Sequence, residues 1–174
     1  MRQTYRVIAR VQKTHGKKGE VVAVPADGLP VLLKPDMTVW VVPPRLKGPR
    51  SMRVAAADEG RVGQLVRLEG VGDLDGASKL VGRSLLVSTD ELPEDFGLHD
   101  PQGLLGREVV DEGQGFLGRI VEVMQGVAND GWQVEGPRGT ILVPVVPEYV
   151  RGIDEDGTVV VDLPEGMVPE GEDA

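Results

Sequence analysis

The sequence contains no cysteine, which excludes disulfides, thiolate metal sites and cysteine nucleophiles and suits a reducing cytoplasm. Histidine is almost as scarce: His15 and His99 lie far apart, neither has a patterned ligand nearby, and no metal site is expected. Trp, Tyr and Phe occur twice each, too few to assemble an obvious stacking surface for single-stranded RNA, so Trp40 and Trp132 read as core or barrel-rim packing. No apolar run approaches the roughly 18 residues needed to span a bilayer, and MRQTYRVIARV alternates polar and apolar residues where a signal peptide would have a continuous apolar core. Neither Gly-x-x-x-x-Gly-Lys-Ser/Thr nor Gly-x-Ser-x-Gly occurs, so a P-loop and a nucleophile elbow are unsupported. These absences point to a soluble cytoplasmic protein with no membrane partner, no cofactor, no metal and no catalytic residue.

The residues present are divided by charge. Residues 1–92 hold 15 Lys/Arg against 10 Asp/Glu, a balance of +5, while residues 93–174 hold 4 against 18, a balance of −14, within a formal net charge of −9. The basic half can approach a polyanion, because each neutralised phosphate releases counterions. The acidic half would be repelled by the same polyanion and suits a basic protein. Solubility alone is the plainer reading of both surpluses.

Alternation marks the strands. In Gln3 to Val11, Tyr5, Val7, Ala9 and Val11 share one face. Further strands are expected at Glu20 to Val24, Thr38 to Val42, Ser51 to Ala57, Gly63 to Leu68 and Leu85 to Ser88, separated by Gly, Pro and Asp turns. One short helix is expected over Asp73 to Val81, with Asp73 as N-cap, Leu74, Ala77 and Leu80 as its buried stripe and Gly82 at its end. Residues 93–103, rich in Pro, Gly, Asp and Glu, read as a linker. Beyond it, Glu108 to Asp111, Phe116 to Met124, Trp132 to Glu135, Thr140 to Val143, Tyr149 to Asp154 and Thr158 to Leu163 read as six short strands, and closing them into a barrel would remove exposed edges. The expected architecture is all-β: two small β-barrels over 1–92 and 104–167, joined by a short linker, with one helix in the first and a disordered acidic tail over 168–174.

Several of these segments carry a resemblance. Leu104-Leu105-Gly106, Val109-Val110-Asp111, Leu117-Gly118, Ile120 to Val123, Gly126 to Asp130, Leu142-Val143-Pro144 and Val161 to Met167 are similar to the carboxy-terminal PRC barrel of the RimM family of ribosome maturation factors. RVQKTHGKKGEVV at Arg10 to Val22, and Gly70-Val71 with Asp73 through Ala77, resemble the family's amino-terminal segments, so the likeness covers about residues 5–167. It implies a factor that binds the pre-30S small ribosomal subunit and supports 16S rRNA processing and head assembly. Its implied partners are the immature subunit, 16S rRNA and the basic ribosomal protein S19, held by the PRC barrel; DNA is not among them. A hydrolase or small-molecule-binding barrel using the acidic turns of the second half is the alternative.

Two sets of residues are candidates for contact. Lys13, His15, Gly16, Lys17, Lys18 and Gly19 place cations around glycines that let backbone approach a phosphate, so this loop is the expected rRNA contact; it also reads as a solvated hairpin turn. Phe96, Leu98, His99, Asn129, Asp130, Glu148 and Tyr149 are the expected ribosomal-protein contact. The family's adjacent aromatic pair before the second barrel is replaced here by Phe96-Gly97-Leu98-His99-Asp100, with Phe96 its only aromatic. Asn129-Asp130 also suits a tight corner, and Asp111-Glu112 and Asp154-Glu155-Asp156 sit in expected turns where they could equally be solvated loop tips.

Overall fold

A computed structural model of the chain describes residues 3–45 and 47–171. Two compact units divide it, residues 1–93 and 94–174. In the first, β1 (Tyr5–His15), β2 (Glu20–Pro25), β3 (Thr38–Val42), β4 (Ser51–Glu59), β5 (Gln64–Leu68) and β6 (Ser84–Ser88) form a closed antiparallel barrel in the order β1-β2-β5-β4-β3-β6. Alternation decides which side faces in. Val39 and Val41 of β3 are buried while Trp40 and Val42 face out, and Val21 and Ala23 of β2 point into the same core.

The helix α1 (Leu74–Ser78) is shorter than the 73–81 span expected. Asp73 caps it as anticipated, Oδ1 accepting from the Gly76 amide at 2.8 Å. In so short a helix the stripe cannot wrap: Ala77 and Leu80 are buried, but Leu74 is exposed. The segment between β2 and β3 has no regular structure yet buries Leu29, Leu32, Leu33 and Met37. It is tied down by Gln64, 7% exposed, whose Nε2 donates to the Leu33 carbonyl at 2.8 Å while its Oε1 accepts from the Leu33 amide at 3.1 Å. The side-chain amide replaces a strand partner for Leu33.

In the second unit, β7 (Glu108–Asp111), β8 (Gly115–Met124), β9 (Gly131–Gly136), β10 (Gly139–Pro144), β11 (Val150–Ile153) and β12 (Val159–Val161) form one sheet in the order β10-β9-β8-β7-β12-β11. β10 and β11 are the two ends of its hydrogen-bonded order, and the six strands enclose a core that includes Trp132, Leu104, Leu117, Ile120, Val134 and Val161, as expected of a small barrel. The backbone approaches itself closely at one place: Gly118, at φ +148, and Gly136 face each other, and a Cβ on either would collide with the carbonyl oxygen of Glu135 or Leu117. β12 pairs parallel to β7, Val159 beside Val109 and Val161 beside Asp111.

Residues 93–103, expected as an irregular linker, carry regular structure and fall, from Glu94 on, in the second unit. Phe96–Leu98 is a 3-10 turn, and Pro101–Leu104 is a short helix, α2, capped by Asp100 with proline at its start. Leu104 is completely buried in the second core. Val168, placed in the expected tail, is buried in that core too, because the turn after β12 folds it back; residues 172–174 lie outside the described residues.

Asp111 is 2% exposed and is no loop tip. Its Oδ1 accepts from the Gly113 and Gln114 amides, both at 2.9 Å, and its Oδ2 from the Leu163 amide at 2.7 Å. One carboxylate therefore shapes the β7–β8 turn and fastens the chain leaving β12. Asp111→Ala leaves three donors to find other partners and should lower the stability of the second unit by about 3 kcal/mol, read as a shifted urea midpoint. Gln64→Leu should cost the first unit about 2 kcal/mol, with faster amide exchange over residues 29–37; an unchanged midpoint would show that water replaces the Gln64 bonds without penalty.

Candidate functional site

The first candidate lies at the far end of the β1–β2 hairpin. The first strand runs four residues beyond the Val11 end expected, because a bulge between Val11 and Lys13 restores pairing of Lys13 with Val22, Thr14 with Val21 and His15 with Glu20. Lys13 and His15 are thus strand residues, and the turn itself is Gly16 to Gly19. Gly16 and Gly19 have φ of +67 and +91. Gly19 is buried, and a Cβ there would strike the Val71 carbonyl, so the turn is seated on the segment that leads into α1. Lys13, His15, Lys17 and Lys18 project from the hairpin without an ion pair among the described residues, and both turn lysines are exposed.

Topology adds a residue that the local sequence does not suggest. Because β5 pairs with β2, Ala23 opposite Gln64, the β4–β5 turn lies toward the end of β2 away from Gly16 to Gly19, and a groove of about 300 Å³ opens between it and the strands of the β1–β2 hairpin. Lys13, His15, Arg61, Val62 and Leu65 are among its lining residues. Arg61 thus shares a groove with Lys13 and His15, which Lys17 and Lys18 do not line. The lining is largely apolar, with Lys13 and Arg61 as its cations.

The second candidate is built around His99. Its Nδ1 lies 2.6 Å from Asp130 Oδ2 and its Nε2 3.5 Å from Asp95 Oδ2, so both ring nitrogens face carboxylates. Asp130 is in turn fixed by its carbonyl, which accepts from the Val145 amide at 2.8 Å. Asn129 and Asp130 line a shallow hollow with Met124, Ala128, Leu142 and Pro144. Leu142 is exposed there, as is Val127 in the β8–β9 loop. Of the seven residues expected as a protein contact, the structure joins His99 and Asp130 directly and sets Asn129 beside them. Leu98 and Tyr149 pack against the core, Phe96 is half-buried, and Glu148 is exposed on the segment between β10 and β11. Asp95 was missed, its only signal being its spacing four residues before His99.

The Asp154 to Asp156 turn is held by hydrogen bonds to Thr158. Thr158 donates its backbone N–H to Asp156 Oδ1 at 3.0 Å, and this bond first, with the Thr158 hydroxyl second, holds the Asp156 carboxyl below its ordinary value. Such a group stays ionised and is poorly suited to donate a proton. Among the described residues no three His, Asp or Glu side chains converge as metal ligands.

Both units match known domains. Residues 6–92 match the RimM N-terminal domain and residues 101–167 the RimM PRC barrel domain. The chain belongs to the RimM family. It is 35% identical over 166 residues to the ribosome maturation factor RimM of Streptomyces coelicolor, covering 93% of this chain and 87% of that one. Against the RimM of Thermoanaerobacter pseudethanolicus it is 32% identical over 168 residues, covering 94% and 98%. A crystal structure of a RimM 16S ribosomal RNA processing protein from Pseudomonas aeruginosa aligns over 92% of this chain and 98% of that one, at 22% identity and a TM-score of 0.42.

In the RimM fold of this chain, the His99–Asp130 pair joins the turn before α2 to the β8–β9 loop. Both side chains are partly exposed, at 26% and 15%, so the bond is screened. His99→Ala should destabilise the second unit by about 1 kcal/mol and speed amide exchange over residues 126–131. Exchange unchanged there would show that the loop is held by the Val145–Asp130 backbone bond alone.

Proposed function

We propose that the chain acts in maturation of the small ribosomal subunit as a binding factor. Its first barrel contacts 16S rRNA through Lys13, His15, Gly16, Lys17, Lys18 and Gly19, with Arg61 added by the fold. Its acidic second unit receives the basic head-domain protein S19 on the surface around His99, Asn129 and Asp130, flanked by Phe96, Leu98, Glu148 and Tyr149. The observation that carries this reading is the match of both units, over most of the chain, to a family whose members are named ribosome maturation factors. The opposed charge surpluses of the two halves support the division of partners.

No catalytic step is invoked. A protein that binds one conformation of the pre-30S particle more tightly than another shifts the assembly equilibrium by that difference in affinity, and a tenfold preference corresponds to about 1.4 kcal/mol. The work is done in the cytoplasm on this reading, and no helix among the described residues is long and apolar enough to cross a membrane.

Replacing Lys13, Lys17 and Lys18 together by Ala should weaken binding of the full chain to immature small subunits. It should also reduce the slope of log affinity against log salt by about one for each phosphate that is no longer neutralised, with the urea midpoint unchanged. Affinity for S19 should be retained. An unaltered slope across a salt series would remove this edge as the RNA-binding surface.

A further inference from the structure

The outer face of the first barrel carries a second feature unlike the basic edge. Residues pointing outward from a small barrel are ordinarily polar, yet Tyr5, Trp40 and Val42 are 38%, 36% and 41% exposed. They are brought together by β6: Tyr5 pairs with Ser88, and Trp40 with Leu86. The rings of Tyr5 and Trp40 meet edge to face with centroids 5.9 Å apart. A hollow of about 290 Å³ opens there, lined by both rings with Val42, Pro44, Leu86 and Arg50. Arg50 is exposed and has no ion pair among the described residues.

The stretch that carries Trp40 is rich in cations. Residues 37–57 contain Arg45, Lys47, Arg50 and Arg53 and no Asp or Glu. Arg53 is exposed and pairs across the ladder with Thr38, two residues from Trp40 on the same outer side. Glu91, the carboxylate bonded to the start of β3, is engaged with the Thr38 amide at 3.3 Å. An indole beside a hollow, edged by a phenol, with Arg50 in the lining and Arg53 nearby on the same outer side, has the chemistry of a platform for a nucleobase whose flanking phosphate meets an arginine.

We infer that Tyr5, Trp40 and Arg50 form a stacking site for one unpaired base of single-stranded RNA, separate from the Lys13–Lys18 edge. This rests on the reading of the first barrel as the RNA-facing unit and adds to it a preference for unpaired nucleotides. Base stacking on an exposed ring is tolerant of sequence, so the site selects strand state, not base identity.

The two tryptophans make the test direct. Trp132 is completely buried in the second unit, so quenching of the full chain's emission by ligand reports on Trp40. Titration with a short single-stranded oligoribonucleotide at low salt should quench that emission saturably, and a duplex of the same length should quench it far less. Tyr5→Ala should weaken binding of the oligonucleotide about fivefold. Trp40→Ala, followed with an end-labelled oligonucleotide, should weaken it about tenfold or more, while Trp40→Phe keeps a ring and most of the affinity. Arg50→Ala should weaken binding and lower the salt slope by about one, with the barrel's thermal midpoint unchanged. Binding of the single strand unaffected by Trp40→Ala and Arg50→Ala, but abolished in the triple lysine variant, would overturn this site and leave the basic edge standing. Failure of the wild-type chain to bind any RNA would overturn both, and Trp40 quenching by an acidic or proline-rich peptide without any by RNA would reassign the face to a protein.

Discussion

The first unit depends on the double pairing of β6. Ser84–Ser88 bonds to β1 on one side and β3 on the other, and without it the remaining five strands would end in two open edges. Its inner residues Leu85 and Val87 are completely buried, so closing the ladder and completing the core are a single event. The same pairing sets the outer surface. Leu86 lies between Val7 and Trp40, and this brings an aromatic from the start of the chain against one from the third strand.

Each unit also buries a polar side chain whose hydrogen bonds are directed at backbone. Gln64 supplies one donor and one acceptor and fastens an irregular segment that carries four buried apolar residues. Asp111 supplies only acceptors and gathers three amides. The choice of amide in one place and carboxylate in the other follows from what the backbone presents: a free carbonyl and amide together at Leu33, amides alone around Asp111. Buried groups satisfied in this way specify a conformation more sharply than apolar packing does, because any other arrangement leaves a donor or acceptor dry.

Strand positions were legible because the period of two survives in short runs such as Val39, Val41. The expected common face of Tyr5, Val7, Ala9 and Val11, however, is broken by a bulge between Val7 and Ala9, which leaves Tyr5 outside while Ile8, Ala9 and Val11 are buried. Partners were not. The β2–β5 and β7–β12 pairings join distant segments, and nothing local in Val159–Val161 says that it runs parallel to Val109–Asp111. The glycine and proline of Pro101 to Leu104 suggested a linker, although Asp100 followed by proline is also a helix start; burial of Leu104 decided between them. The lysines of the β1–β2 turn were visible at once, whereas Arg61 shares a groove with Lys13 and His15 only through topology. Trp40 sits among residues apolar on both faces of β3, so alternation could locate the strand without saying which face was outward.

Sheet order in the second unit has a consequence for the timing of its formation. β7 is the first strand made, and the strand beside it, β12, is the last; the Leu163 amide that completes the Asp111 site comes later still. The first barrel can close once Ser88 has been synthesised, but the second sheet stays divided until nearly the whole chain is available. A nascent chain emerging from its own ribosome therefore presents a finished basic barrel followed by an incomplete acidic sheet, and a chain that stops short of Leu163 leaves Asp111 without one of its three donors in the folded state.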